Sequence, residues 1–443
     1  MPAARMACTD HPRSARLYPA RTKFAQPSIT ADRALRAVER SSRSVIFLGE
    51  AAGTTGFRRS PQAADPDRRS SGRVTGTGCQ PPAVKSPPVN TSQSRAAASP
   101  DDQAVTAERC AAQLLRGGPA GTAEEVARRL LAIQAQDPRG ARLAIRARSA
   151  RLSASDVESA LTRRRSLIVT WLNRGTLHLV RAEDYWWLHP LTTPQLRTAN
   201  SRRLAQEGVP PEDAERAVAV VRAALAADGP LTRAQLRGQV AAAGVRTEGQ
   251  AMVHILALAS IRGLIVRGPV AGPDQAFVLA RDWLGAPPPA MGREAALGEL
   301  ARRYLAGHAP AADRDLARWA GIGLAGARLG LARCGAIQRA DGLAELPVSP
   351  QRAAAALPPP LLLGAFDPLL LGWASRDFIV GPHRHIVTVN GLFRPFALAG
   401  GRAVATWNIT RGQVELAPFS PLDAGTRAAL DTDAADVTRF LGG

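Results

Sequence analysis

One pattern recurs three times along this 443-residue chain and constrains its fold more than any bulk property. Each copy opens with an amphipathic helix whose spacing predicts a stop at glycine: 105–116 before Gly117, 214–227 before Gly229, and 294–306 before Gly307. Glycine suits such a stop because it takes up the left-handed backbone of a helix C-cap without a Cβ clash. A second helix then starts at Thr122-Ala123-Glu124-Glu125-Val126, Thr232-Arg233-Ala234-Gln235-Leu236 and Ala312-Asp313-Arg314-Asp315-Leu316. In the first two a threonine is placed to cap free amides, and Glu125 is expected to complete a capping box. In all three an aliphatic residue falls four positions on, facing the same core. A third helix follows, clearest over 249–262 and ending at Gly263. A strand pair closes each copy: 166–171 with 176–180, 264–267 with 276–279, and 336–338 with 343–346.

Helices followed by a two-stranded hairpin make up the winged-helix plan, in which the third helix is presented to a DNA groove. From residue 358 the apolar period changes to two. Residues 385–389, 392–398, 402–408 and 413–419 read as strands, with Asn390-Gly391 and Gly400-Gly401 as turns that tolerate positive φ. The predicted fold class is therefore α+β: tandem winged-helix (helix-turn-helix) units followed by a C-terminal antiparallel β-domain, a meander or small barrel. The expected divisions are a disordered Arg/Ser/Pro-rich tail over 1–100 and a first winged helix with a helical linker over 104–210. A second winged helix follows over 211–286, a third over 291–350, a barrel-like β-domain over 358–421, and a terminal helix or tail over 422–443.

Charge has to be divided before it is used. Residues 1–100 hold 16 Lys and Arg against 6 Asp and Glu, which is +10 of the formal +20. That segment, with runs such as Gln80-Pro81-Pro82, cannot bury enough surface to offset its ordering entropy. Translation from an over-early start would account for it, as would a basic arm tethering the chain to DNA. The remainder carries 41 basic against 31 acidic residues, a modest bias that suits a polyanion partner. Only Lys23 and Lys85 are lysines, so beyond residue 85 the basic character is arginine alone, which a GC-rich genome would also produce. Cys8, Cys79, Cys110 and Cys334 form no CxxC pair, which predicts neither a zinc site nor a disulfide framework and fits a reducing cytoplasm. No run of eighteen apolar residues and no secretory leader is read. Walker, GxGxxG, HExxH and GxSxG motifs are absent, which disfavours a nucleotide-driven enzyme or a zinc hydrolase.

One local run stands out: Leu131-Ala132-Ile133-Gln134-Ala135-Gln136-Asp137-Pro138-Arg139-Gly140. On a helix, Gln134 and Gln136 would point about 200° apart. Pro138 ends the helix, so both amides are expected to converge on a space beyond its last turn. Glutamines at helix ends are common in purely structural settings, and Asp137 before proline reads as a turn former. Arg139 and Arg174 lie where they could contact phosphate near these amides. His178 alternates with Leu177 and Leu179 on a strand and faces away from both. His383-Arg384-His385 follows Gly381-Pro382 as a charged loop or strand start. Arg376 has Asp377 and Asp367 as candidate partners, or DNA.

These segments together resemble the AlkZ/YcaQ-type winged-helix DNA glycosylases. The resemblance rests on Gln134-Ala135-Gln136, on Arg174-Gly175-Thr176-Leu177-His178-Leu179-Val180, on Phe366-Asp367-Pro368-Leu369-Leu370-Leu371-Gly372, and on Gly391-Leu392-Phe393-Arg394-Pro395. It covers 105–420 and implies three tandem winged helices, a β-domain, and catalysis by a QxQ motif at Gln134 and Gln136. The YcaQ branch carries aspartate at the second position, and the family's middle residue is bulky where Ala135 is small. The implied activity is monofunctional hydrolysis of the N-glycosidic bond of cationic alkylated purines, of the N7-alkylguanine type, with interstrand crosslinks as a further substrate. The candidate DNA-binding set is Arg139, Arg174, Thr176, His178, Arg376, His383 and Arg384. Double-stranded DNA is the expected partner, with no metal, no cofactor, no membrane, a monomeric state and a cytoplasmic, nucleoid-associated location. A non-catalytic winged-helix regulator, which would bind DNA without releasing a base, is the alternative.

Overall fold

The computed structural model describes residues 100–115, 120–272, 274–347, 356–388 and 390–443. The tail expected over 1–100 lies outside them save for Pro100, and so does the stop expected at Gly117. The first helices are α1 (Pro100–Ala112) and α2 (Ala123–Leu130). Thr122 caps α2 by accepting from the Glu125 amide at 3.1 Å. The Glu125 carboxylate accepts from Gly121, one residue before the cap, so the expected capping box is displaced upstream.

α2 does not run on into the glutamines. Leu131 adopts φ +63 and turns the chain into a short strand, β1 (Ile133–Gln134). Asp137 then caps α3 (Pro138–Arg146) by accepting from the amides of Arg139 and Gly140 at 2.8 and 3.0 Å. Pro138 suits this first turn, where its missing N–H would be unpaired in any case. α4 (Ala154–Thr162) leads to the hairpin β2 (Leu167–Leu172) and β3 (Thr176–Arg181). Two linking helices follow, α5 (Tyr185–Thr192) and α6 (Leu196–Gln206).

The second copy comprises α7 (Pro211–Asp228), α8 (Arg233–Ala242), α9 (Ala251–Ile261), β4 (Ile265–Ala271) and β5 (Asp274–Leu279). Gly229 ends α7 at φ +76, and Thr232 with Gln235 forms the capping box of α8. α10 (Ala280–Leu284) precedes the third copy: α11 (Arg293–His308), α12 (Asp313–Ala320), α13 (Leu324–Arg333), β6 (Ile337–Gln338) and β7 (Ala344–Glu345). Gly307 does not stop α11, which runs to His308. A Cβ there would meet the carbonyl oxygen of Arg129, so this glycine permits close helix approach rather than a cap.

The hairpins of the first two copies merge into one antiparallel sheet in the order β1-β3-β2-β4-β5, with Val169 paired to Arg267 across the junction. α9 packs against α6, α7, β2 and β4. Ala251, Met252 and every residue from His254 to Ile261 are buried. The third helix of this copy is therefore enclosed and cannot be laid in a groove as the sequence pattern suggested. In α13, its counterpart, only Ala327 and Gly330 are buried.

The C-terminal sheet is a meander in the order β11-β10-β9-β8, formed by β8 (Leu361–Leu363), β9 (Phe396–Ala399), β10 (Arg402–Thr410) and β11 (Gln413–Pro418). The strand expected over 385–389 is absent. A 3₁₀ turn, Arg384–Ile386, takes its place, followed by a single bridge between Val387 and Phe393. Two short helices, α14 (Pro368–Leu371) and α15 (Asp377–Val380), lie between β8 and this turn. A last helix, α16 (Ala424–Gly442), packs on β8, β11, α3 and α4. Buried charge ties these parts together. Arg148 forms two bonds to Asp367 at 2.8 and 2.9 Å with both side chains wholly enclosed. Arg146 reaches Asp433, Asp436 and the Leu362 carbonyl.

Candidate active site

The glutamines are brought together by strand geometry. β1 pairs with β3 so that Ile133 faces Leu179 and Gln134 faces His178. The ladder continues past the strand, with the Ala135 amide donating to Leu177 at 2.7 Å. Extended backbone alternates its side chains, so Gln134 shares a face with His178, while Gln136, in the bend after the strand, reaches the edge of β3. Ile133, Ala135, Leu177 and Leu179 fill the core behind them. The helix expected to run to the glutamines ends at Leu130, so Gln134 stands on a strand and Gln136 in the bend that leads to α3.

Each amide is oriented by a donor. The Gln134 oxygen accepts from Arg174 Nη2 at 3.3 Å, and the Gln136 oxygen accepts from the Leu177 amide at 3.3 Å. Both donors lack acceptor capacity, so both side chains must present oxygen to them. Gln134 is 4% exposed and Gln136 half-buried, which makes Gln136 the outer member of the pair. Asp137 is committed to capping α3, in keeping with its reading as a turn former.

Arg174 sits in the three-residue turn between β2 and β3 and bridges two parts of the chain. Its Nη1 donates to the carbonyls of Trp319 and Arg318, at 2.9 and 3.2 Å, in the last turn of α12. These carbonyls carry the partial negative charge of a helix C-terminus, which a guanidinium neutralises. The fork is thus held on α12 and Gln134. Gly321 caps α12 at φ +68, and a Cβ there would lie 2.7 Å from the Asn173 carbonyl oxygen, so glycine allows the turn to dock.

His178 is 3% exposed, so it is neither solvent-facing nor available as a charged phosphate ligand. Its Nδ1 lies 2.9 Å from the Thr176 carbonyl, which makes Nδ1 the protonated nitrogen and leaves Nε2 as an acceptor. Burial, reinforced by the Arg174 charge and opposed by the Thr176 hydrogen bond, pushes its pKa down to about 3. Thr176 is equally buried, while Arg139 is half-buried in the first turn of α3.

The remaining candidates gather in the C-terminal part. Arg376 is half-buried with its guanidinium 5.0 Å from the Phe393 ring centre. His383 stacks on Phe419 with ring centres 4.1 Å apart, and burial and His385 lower its pKa. Arg384 is exposed, 3.8 Å from Asp377. Sequence reasoning missed Asn173, a fully buried residue at φ +51 in the β2–β3 turn. Its only signal was asparagine at the first position of a tight hairpin turn. Among the described residues no cluster of His, Cys, Asp and Glu could hold a metal, and no helix is long and apolar enough to cross a membrane.

The family model for AlkZ-like DNA glycosylases matches residues 127–440. The interstrand DNA cross-link repair glycosylase of Streptomyces sahachiroi is 28% identical over 367 residues, covering 76% of this chain and 96% of the relative. The solved structure of the Streptomyces sahachiroi DNA glycosylase AlkZ aligns with a TM-score of 0.61 and 25% identity, over 77% of this chain and 96% of that one. The matched span takes in the glutamine strand, the three described sheets and most of the terminal helix, and the chain belongs to the AlkZ-like DNA glycosylase family.

Proposed function

We propose that this DNA glycosylase hydrolyses the N-glycosidic bond of cationic N7-alkylated purines in duplex DNA, without lyase activity, using Gln134 and Gln136 on a tandem winged-helix scaffold. The observation that carries the reading is that both amides are held by the β2–β3 hairpin, Gln134 by Arg174 in its turn and Gln136 by the Leu177 amide. In this reading the amide oxygens orient a water and the NH₂ groups donate to the sugar or the DNA backbone, two roles that one amide can fill together. The three copies of helices followed by a hairpin support the winged-helix units at 104–210, 211–286 and 291–350.

An alkyl group on N7 leaves the base positively charged and its bond to C1′ already weakened. As water oxygen bonds to C1′, the C1′–N bond breaks and its electron pair leaves with the base, which becomes neutral. The surplus water proton passes to solvent. Such a departure needs little acid assistance; it needs a positioned water and a site that tolerates a cationic sugar. Neutral amides supply the first and only weakly the second, which restricts the reaction to activated lesions. His178, neutral and accepting through Nε2, adds no repelling charge beside that cation. Lys85 is the last lysine, so the described residues offer no amine for a Schiff base. The relative named for cross-link repair extends the proposed substrates to crosslinked purines.

The test is release of N7-methylguanine from alkylated duplex DNA by the purified chain. Gln134→Ala and Gln136→Ala should each lower release at least about tenfold while DNA affinity is retained. Wild-type release by both variants would remove the glutamines from the mechanism, and no release by the native chain would remove the substrate assignment.

A further inference from the structure

The two terminal nitrogens of Arg174, half-buried in the β2–β3 turn, go to different parts of the chain. Nη2 donates to the Gln134 oxygen at 3.3 Å, while Nη1 donates to the Trp319 and Arg318 carbonyls at 2.9 and 3.2 Å. One guanidinium therefore ties the glutamine strand of the first copy to the end of α12 in the third. The anchor is itself braced. Gln195, just before α6, donates to the carbonyls of Thr192 and Gly321 at 2.8 and 2.9 Å, so the residue that caps α12 is also held from the side of α6. A planar fork suits such a bridge because it fixes two directions at once, whereas a lysine ammonium is a point charge on a flexible stem.

A side-chain amide that turns by 180° exchanges its oxygen for its NH₂ group. A guanidinium has no acceptor, so it admits only the orientation in which Gln134 offers oxygen to the fork and turns NH₂ away from it. The partial negative charge at the end of α12 offsets the cation, which suits an amide assigned to a reaction through a cationic sugar. We propose that Arg174 is a positioning residue: braced on α12, it fixes the Gln134 amide for the reaction, so the third copy serves catalysis as well as any docking of DNA. This rests on the glycosylase reading above, and it assigns Arg174 to Gln134 rather than to a phosphate. Misplacement of a reacting group by about 1 Å can lower a rate a hundredfold.

Arg174→Lys keeps the charge and loses the fork. Its single-turnover release of N7-methylguanine should fall about ten- to a hundredfold, with duplex affinity and its salt dependence kept. A phosphate ligand would behave in the opposite way. Arg174→Lys would then keep the rate, and Arg174→Ala would lose affinity and flatten the slope of log affinity against log salt by about 0.9. Loss of the anchor also loosens α12, and a double-mutant cycle separates that effect from positioning. In the Gln134→Ala background Arg174→Lys should lower the rate no further, whereas damage to the fold would lower it again by the same factor. If Gln134→Ala is impaired while Arg174→Lys releases base like wild type, or if the two losses multiply, the positioning role is wrong and the glycosylase reading stands. If Gln134→Ala keeps the native rate, or the native chain releases nothing, the positioning role falls with the reading it rests on.

Discussion

Arg174 and His178 show how a side chain's role depends on what arrives beside it. Alternation on the strand correctly placed His178 on the face opposite Leu177 and Leu179, but it could not reveal that this face too would be buried. Arg174 read as a candidate phosphate contact, and the carbonyls ending α12 to which it donates were not legible because they lie over a hundred residues away. The glutamines were legible as a motif but not as a strand, since Leu131 at φ +63 ends α2 in a conformation that leucine rarely adopts. A consequence follows for the pH dependence of catalysis. With His178 held at about 3, and amides that do not titrate, the release rate should be flat between about pH 6 and pH 8. A limb near 6.5 in the single-turnover profile would mean that this ring becomes accessible and charges during the reaction.

Among the elements, the helices were the most readable, because capping residues and apolar spacing act locally. The Gly229 stop and the Thr232 cap are where the pattern put them. Gly307 carries the same residue type for another reason, packing against the end of α2, and nothing in its neighbours distinguishes the two uses. The expected strand at 385–389 lost to a 3₁₀ turn whose Ile386 is buried while His385 is exposed, an alternation that imitates a strand. The sheet that merges two hairpins was not legible either, since it depends on pairing between Val169 and Arg267, far apart in the chain. Gly140, in the same run as the glutamines, tests the packing of α3. A Cβ there would run into the Ala365 carbonyl oxygen and the backbone behind it. Gly140→Ala should therefore destabilise by about 1–3 kcal/mol despite alanine's better helix propensity, seen as a lower midpoint in urea. An unchanged or raised midpoint would mean that α3 shifts away freely.

Across the whole chain, burial of neutral histidine links stability to pH. His178, His189 and His308 lie within separate parts of the core, at 3%, 7% and 0% exposure. His189 binds the Ser260 carbonyl at 2.8 Å, and His308 stacks on Tyr304 with ring centres 4.7 Å apart. Burial is the leading cause that lowers their pKa values, to about 3, 4 and 3 from 6.5. The unfolded chain therefore binds protons near pH 6.5 that the folded protein refuses until about pH 3 or 4. In that window the unfolded state holds more protons, so stability is complete above 6.5 and falls as the pH drops. At pH 5 each ring contributes a loss on the order of 2 kcal/mol relative to pH 7, before the carboxylates titrate appreciably. Urea melts at pH 7 and pH 5 should show that fall, and His308→Gln should flatten the slope by about a third whatever it does to stability at pH 7. Equal stability at the two pH values would require these rings to protonate in place, which an enclosed stack of Tyr304, His308 and Trp319 resists because the added charge would lie beyond the reach of water.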